Sequence, residues 1–144
     1  MDKNQIKNLV RQMTLKEKAG QVTQLPSRYF QIKGSQLTGT ENKLGITECE
    51  KWQAGSILGK MDAESMRNIQ AENMKRSRLK IPMMFMTDII HGYQTIFPVP
   101  LAMSCSFNPE LVEKSAAVSA KEGSAAGYQV TFSPMVDVVR DPRW

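Results

Sequence analysis

The sequence predicts an α/β fold built on a parallel sheet, and three observations carry that reading. Helix-patterned and strand-patterned segments alternate along the chain. Ile81-Pro82-Met83-Met84-Phe85-Met86-Thr87 is a largely apolar run after a helical segment, the pattern of a strand buried on both faces. The helical segments begin and end at residues suited to cap them, among them Thr14, Asp62, Asn108 and Gly127.

Taken in order, Ile6, Leu9, Val10 and Met13 follow the i, i+3, i+4, i+7 spacing of a first helix. Thr14-Leu15-Lys16-Glu17 has the form of a capping box, so a second helix starts at Leu15, with Leu15, Ala19 and Val22 as its apolar face. Residues 26–54 are polar and punctuated by Pro26, Gly34, Gly39 and Gly45, the signature of a loop or small insertion. Ala54-Gly55-Ser56-Ile57-Leu58-Gly59 reads as a short strand bounded by glycines. Asp62 caps a helix over residues 63–78, to which Met66, Ile69 and Met74 give apolar contacts. The run 81–87 is the next strand. Asn108-Pro109-Glu110 opens a helix with a cap, a proline at its first position and an acid near its positive end. It runs through Leu111, Val112, Ala116 and Ala120 to Gly127, and Val130-Thr131-Phe132-Ser133 follows as a strand broken by Pro134.

The composition, 41% apolar and 23% charged over 144 residues, supports a core and excludes wholesale disorder. No run of about 18 apolar residues exists, so no membrane-spanning helix is expected. The first residues lack the apolar stretch of a secretory leader, and the compartment stays open between periplasm, secretion and cytoplasm. The net charge of +5 is uneven: residues 1–80 carry 15 Lys and Arg against 8 Asp and Glu, residues 81–144 carry 4 against 6. Lys75-Arg76-Ser77-Arg78-Leu79-Lys80 is the one basic cluster, and a solvated surface is the favoured reading over an anionic partner such as nucleic acid. Two cysteines, Cys49 and Cys105, make no disulfide framework, and Cys105 is expected to be a buried free thiol.

Ligand sites in parallel α/β folds lie at the carboxyl ends of the strands. Two polar turns sit there: Asp88-Ile89-Ile90-His91-Gly92-Tyr93, and the stretch from Asp137 to Trp144. Ionised Asp88 would accept hydrogen bonds from two vicinal sugar hydroxyls, or it would cap its own turn; spacing leaves both readings open. His91, the only histidine, is read as structural rather than as a ligand or base. No H-x-H, H-E-x-x-H or C-x-x-C pattern points to a metal, and neither a G-x-S-x-G elbow nor a phosphate loop occurs. Asp137, Arg140, Asp141 and Arg143 are read as ion pairs bracing their loop, and Met83, Met84, Met86 and Met103 as core filling.

These residues also carry a resemblance. Met13-Thr14-Leu15-Lys16-Glu17-Lys18 with Gly20-Gln21, Gly55-Ser56-Ile57-Leu58, Ile81-Pro82 through Gly92, and Thr95-Ile96-Phe97-Pro98 follow one another in the order of a family 3 glycoside hydrolase of the β-glucosidase group. Ala126-Gly127, Phe132 through Val138, and Arg140-Asp141-Pro142-Arg143-Trp144 continue it. The resemblance covers nearly the whole chain, least in residues 26–54. Gly55-Ser56-Ile57-Leu58 corresponds to the family's first barrel strand.

The resemblance implies a partial (β/α)8 barrel of the TIM type, about its first three strands with their helices. The 144 residues would be the amino-terminal part of one barrel domain, incomplete at its carboxyl end, since a whole barrel takes about 250 residues. It implies a retaining β-glycosidase acting on terminal β-D-glucosyl residues of glucosides or oligosaccharides, with no cofactor and with Asp88 binding the sugar at the −1 position. In the family, Arg-Asp-Pro-Arg-Trp is followed by Gly-Arg, then a Lys-His pair and the nucleophile, and later the acid/base. Those positions fall beyond Trp144, so no residue here is assigned a catalytic role. Neither Asp137 nor Asp141 aligns with the nucleophile, and no carboxyl pair at the separation of about 5–5.5 Å that retention needs is identified. The alternatives are a β-xylosidase, or a non-catalytic remnant or module that binds carbohydrate.

Overall fold

The computed structural model describes residues 1–30, 45–136, 138, 140 and 141. The chain forms two compact units, Met1–Met86 and Thr87–Trp144.

The first unit opens with α1 (Lys3–Gln12) and α2 (Leu15–Gln21). Then come β1 (Gln24–Pro26), a 3-10 turn (Ser27–Phe30), α3 (Glu48–Lys51), β2 (Ser56–Leu58), α4 (Ala63–Arg76) and β3, which spans Met84–Thr87. α1, α2 and α3 each begin with a reciprocal capping box, built on Asp2 and Gln5, Thr14 and Glu17, and Thr47 and Glu50. In each, the cap side chain satisfies an orphan N–H of the first turn and the third helical residue returns the bond. The Thr14 box confirms the start at Leu15, but the expected face does not: Leu15 is 83% and Val22 87% exposed. The residue of α2 that is buried is Gly20, where the chain crosses itself closely. A Cβ on Gly20 would overlap the Gln53 carbonyl, and one on Gly55 the Gln21 carbonyl. The Gly55 N–H donates to the Gly20 carbonyl at 2.8 Å, so this crossing delivers the chain to the start of β2.

β1, β2 and β3 pair in parallel, with Leu25, Ile57 and Phe85 level across the three strands. These three are 5%, 1% and 3% exposed and form one buried row. Fully burying each such side chain contributes about 1.5–3 kcal/mol relative to leaving it in water. α4 buries Met66, Ile69 and Asn73, spaced 3 and 4 apart as one helix face requires. Its polar members organise the approach to β3. The Asn73 amide donates to the Ile81 carbonyl at 3.0 Å, and the Gln70 amide both accepts from the Met83 N–H and donates to the Met83 carbonyl, each at 3.0 Å.

β1 was not anticipated and ends at Pro26, where the stretch expected to be irregular begins, so the strand at 56–58 is second in the sheet, not first. Its backbone pairing to β2, not an apolar run, makes it a strand. β3 is shorter than the apolar run that announced it, and Met84 is 44% exposed, so the strand is not buried on both faces at that position. The basic cluster is engaged locally. Arg78 donates twice to the Glu17 carboxylate and once to the Gln12 carbonyl, Arg76 pairs with Glu72 and lies 5.0 Å from the Trp52 ring, and Lys80 donates to the carbonyls of Met74 and Lys75 at the end of α4.

The second unit starts with Thr87 and contains α5 (Pro100–Ser104), α6 (Pro109–Ala126) and β4 (Val130–Thr131). Asn108 caps α6 by accepting from the Leu111 N–H at 3.2 Å, with Pro109 in the first turn, and Gly127 ends it at a left-handed φ of 109°. The buried face of α6 is Ser115, Ser119 and Gly123, four residues apart. Both hydroxyls bond back to carbonyls of the same helix, Val112 and Ser115, so burying them leaves no donor unpaired. Leu111 is 57% exposed. Cys105, expected to be buried, is exposed at the end of α5, with its thiol against the Leu101 carbonyl. Position in an apolar-looking stretch did not decide its side: α5 has no buried residue.

Candidate functional site

At the carboxyl end of β3 the chain alternates in and out. Thr87 is buried, Asp88 exposed, Ile89 buried and Ile90 exposed. This alternation sends the Asp88 carboxylate outward from the position where parallel sheets present ligand groups. Among the described residues nothing bonds to that carboxylate, and it caps no N–H of the following turn.

Ile89 is the anchor beside it. Its N–H donates to the Thr131 hydroxyl at 3.2 Å, and its carbonyl accepts from the Ser133 hydroxyl at 2.6 Å. The two hydroxyl oxygens are 3.1 Å apart, so β4 and the residues after it grip the chain as it leaves β3. The Ile89 side chain fills the space over Gly123, where any Cβ would overlap it. A glycine in the last turn of α6 leaves room for that side chain, at a propensity cost of up to about 1 kcal/mol against alanine.

The turn then folds on itself. The Phe97 N–H donates to the His91 carbonyl at 2.8 Å, and His91 Nδ1 lies 2.9 Å from the Phe97 carbonyl. A carbonyl only accepts, so Nδ1 is assigned the proton. The lone histidine is thus a structural member of the turn, as its isolation in the sequence indicated. Gly92 and Ile96 form an antiparallel bridge. At the tip, the Gln94 and Thr95 N–H groups donate to Glu122 Oε2 at 2.9 Å each, and the Thr95 hydroxyl donates to Oε1 at 2.6 Å. The Thr95 hydroxyl first, then the N–H groups of Thr95 and Gln94, hold the Glu122 carboxyl below its ordinary range. Tyr93 meets Tyr128 edge to face, with ring centres 5.7 Å apart.

Glu122, Thr131 and Ser133 escaped the sequence reading as members of this site because they meet backbone groups more than 25 residues away, and Gly123 because it meets the distant Ile89 side chain. Of the second polar turn, Asp137 and Arg143 lie outside the described residues, and the bracing pairs expected there involve them. Among the described residues no group of three or more His, Cys, Asp or Glu is placed to hold a metal ion. The first unit has a cleft of about 440 Å³ lined by Glu17, Trp52, Arg78 and the residues leading into the strands, Gln21, Ala54 and Ile81. It therefore opens at the amino ends of the strands, the side of such sheets that serves stability more than chemistry.

Residues 14–144 match the glycosyl hydrolase family 3 N terminal domain. The periplasmic beta-glucosidase of Salmonella typhimurium is 38% identical over 141 residues, 96% of this chain and 17% of that protein. A putative beta-xylosidase of Formosa agariphila is 31% identical over 151 residues, 94% of this chain and 19% of its own length. The crystal structure of the beta-glucosidase from Listeria innocua in complex with glucose aligns over 100% of this chain and 20% of its own, at 48% identity and a TM-score of 0.90. The same enzyme in complex with laminaribiose, in a mutant form, aligns over 100% of this chain and 20% of its own, at 48% identity and a TM-score of 0.89. The chain spans about a fifth of the length of these relatives. Its parallel sheet with covering helices has the α/β fold of the barrel-type domain that opens such enzymes. The chain belongs to glycosyl hydrolase family 3.

Proposed function

We propose that these 144 residues are the amino-terminal part of one barrel domain of a retaining β-glycosidase. Its substrates are glucosides or oligosaccharides with a terminal non-reducing β-D-glucosyl residue. Asp88 holds the hydroxyls of that sugar at the −1 position. The observation that carries this reading is the state of Asp88: exposed at the carboxyl end of β3, with no bond to any described residue. A carboxylate left unbonded on a turn this well fastened is available to accept from a ligand.

The chemistry follows from charge. An ionised carboxylate accepts two hydroxyl hydrogen bonds at once, each contributing about 1.5–3 kcal/mol when the group is charged. Such contacts tighten as the ring acquires oxocarbenium character, so they lower the barrier as well as bind. The nucleophile and the acid/base belong to parts of the enzyme after Trp144. The engagement of Arg76 and Arg78 with Glu72 and Glu17 favours a surface role for the basic cluster over nucleic-acid binding.

Asp88→Ala in the complete enzyme is expected to lower kcat/KM on an aryl β-glucoside by roughly a hundredfold or more, on the order of 3 kcal/mol. An unchanged kcat/KM would remove Asp88 from the site. The identity to a putative beta-xylosidase supports a second reading, an aryl β-xyloside as the better substrate. Comparing kcat/KM on the two aryl glycosides separates them.

A further inference from the structure

We propose that Glu122 is a positioning residue: from α6 it clamps the loop that carries Asp88 and so sets the direction of the carboxylate that meets the sugar. This inference rests on the reading of Asp88 given above.

The loop is fastened at two places. Just after Asp88, Ile89 is held by the Thr131 and Ser133 hydroxyls and seated over Gly123. Farther on, Gln94 and Thr95 are held by three bonds to the two oxygens of Glu122. Gly123 and Glu122 are consecutive residues of α6, so one short stretch of helix controls both points. Between them the His91–Phe97 pair and the Gly92–Ile96 bridge close the loop on itself, leaving little slack to absorb a loosened tip. Asp88 has no bond of its own to any described residue, so its backbone alone aims it. Whatever steadies that backbone steadies the carboxylate.

The donor pattern separates acceptor from charge. All three partners of Glu122 are donors in this arrangement. A glutamine in its place accepts both N–H groups through its amide oxygen, while its NH2 donates to the Thr95 oxygen once that hydroxyl turns. An alanine makes none of these bonds and leaves two N–H groups without their partner.

The test uses the complete enzyme unsubstituted, as Glu122→Ala and as Glu122→Gln, each with Asp88 intact and as Asp88→Asn. The readings are kcat and KM on an aryl β-glucoside and the thermal midpoint. Glu122→Ala is expected to lower kcat/KM about tenfold or more, and Glu122→Gln to restore it to within about threefold of the unsubstituted enzyme. In the Asp88→Asn background the loss from Glu122→Ala is expected to shrink below about twofold, because the two residues act through one step. A general loosening of the fold would persist in both backgrounds. The proposal is overturned if Glu122→Ala stays within about twofold of the unsubstituted enzyme, or if its loss is undiminished once Asp88 is Asn. Should Glu122→Ala fail to fold, Thr95→Val removes only the hydroxyl bond, and the same cycle with Asp88→Asn decides. Failure of the underlying reading has its own signature: Asp88→Asn then matches the unsubstituted enzyme, or neither hydrolyses the glucoside.

Discussion

Asn73 shows how much one buried polar side chain can organise. It is 2% exposed, and its amide donates to the Ile81 carbonyl three residues before β3. The bond is part-buried, and a hydrogen bond of this kind contributes about 0.5–1.5 kcal/mol. Asn73→Ala should therefore destabilise the complete enzyme by about that amount, and Asn73→Leu should not recover it although it refills the volume. Thermal unfolding of both variants measures this; a leucine variant as stable as the parent would show that packing, not the hydrogen bond, matters there. The placement of Asp88 just past β3 was legible in the sequence, because an apolar strand run ends there. Glu122 was not, because backbone N–H groups 27 and 28 residues away leave no signature in side-chain identity.

Among the elements, local signals read well and non-local ones poorly. The starts of α2, α4 and α6 follow from caps that are complete within four residues, and the structure has each of them. The three residues of β1 are a strand only because β2 lies beside them, a pairing 32 residues distant. Similarly, the buried face of α6 is Ser115, Ser119 and Gly123, chosen by close approach and not by hydrophobicity. The link between α2 and the end of α4 makes a prediction at this scale. Arg78, with the Thr14 N–H helping, lowers the Glu17 carboxyl from 4.5 to about 2. A carboxyl lowered by folding adds stability that is complete above its ordinary value. That stability is lost as the pH falls from 4.5 toward 2. Arg78→Ala should weaken the fold at neutral pH and remove part of the stability change over that acid range. The pair is exposed, so salt should reduce the effect. Unfolding midpoints of the two forms between neutral pH and pH about 3 measure it; parallel curves would count against the link.

For the whole polypeptide, the decisive feature is apolar surface left in water. Phe107 is 94% exposed, Val22 87%, Val136 84% and Leu101 78%. Large apolar side chains left in water can associate with those of other copies of the chain. The 144-residue polypeptide expressed by itself should aggregate or fold poorly, and should hydrolyse no aryl β-glucoside above an Asp88→Asn control. A monomeric species by light scattering, or turnover above that control, would contradict this.

The carboxamide of Gln70 has a consequence for how the sheet can grow. Successive N–H groups of a strand point to opposite sides, and that of Met84 goes to the Gly55 carbonyl on the β2 side. The polar groups of Met83 therefore face the other way, and Gln70 already occupies both. A side chain stands in for one residue of a neighbouring strand. No incoming strand can begin its ladder at Met83, so on that side of β3 pairing starts farther along the chain. A one-residue slip would turn every side chain of the newcomer to the wrong face, and a helix side chain acts as the doorstop against it.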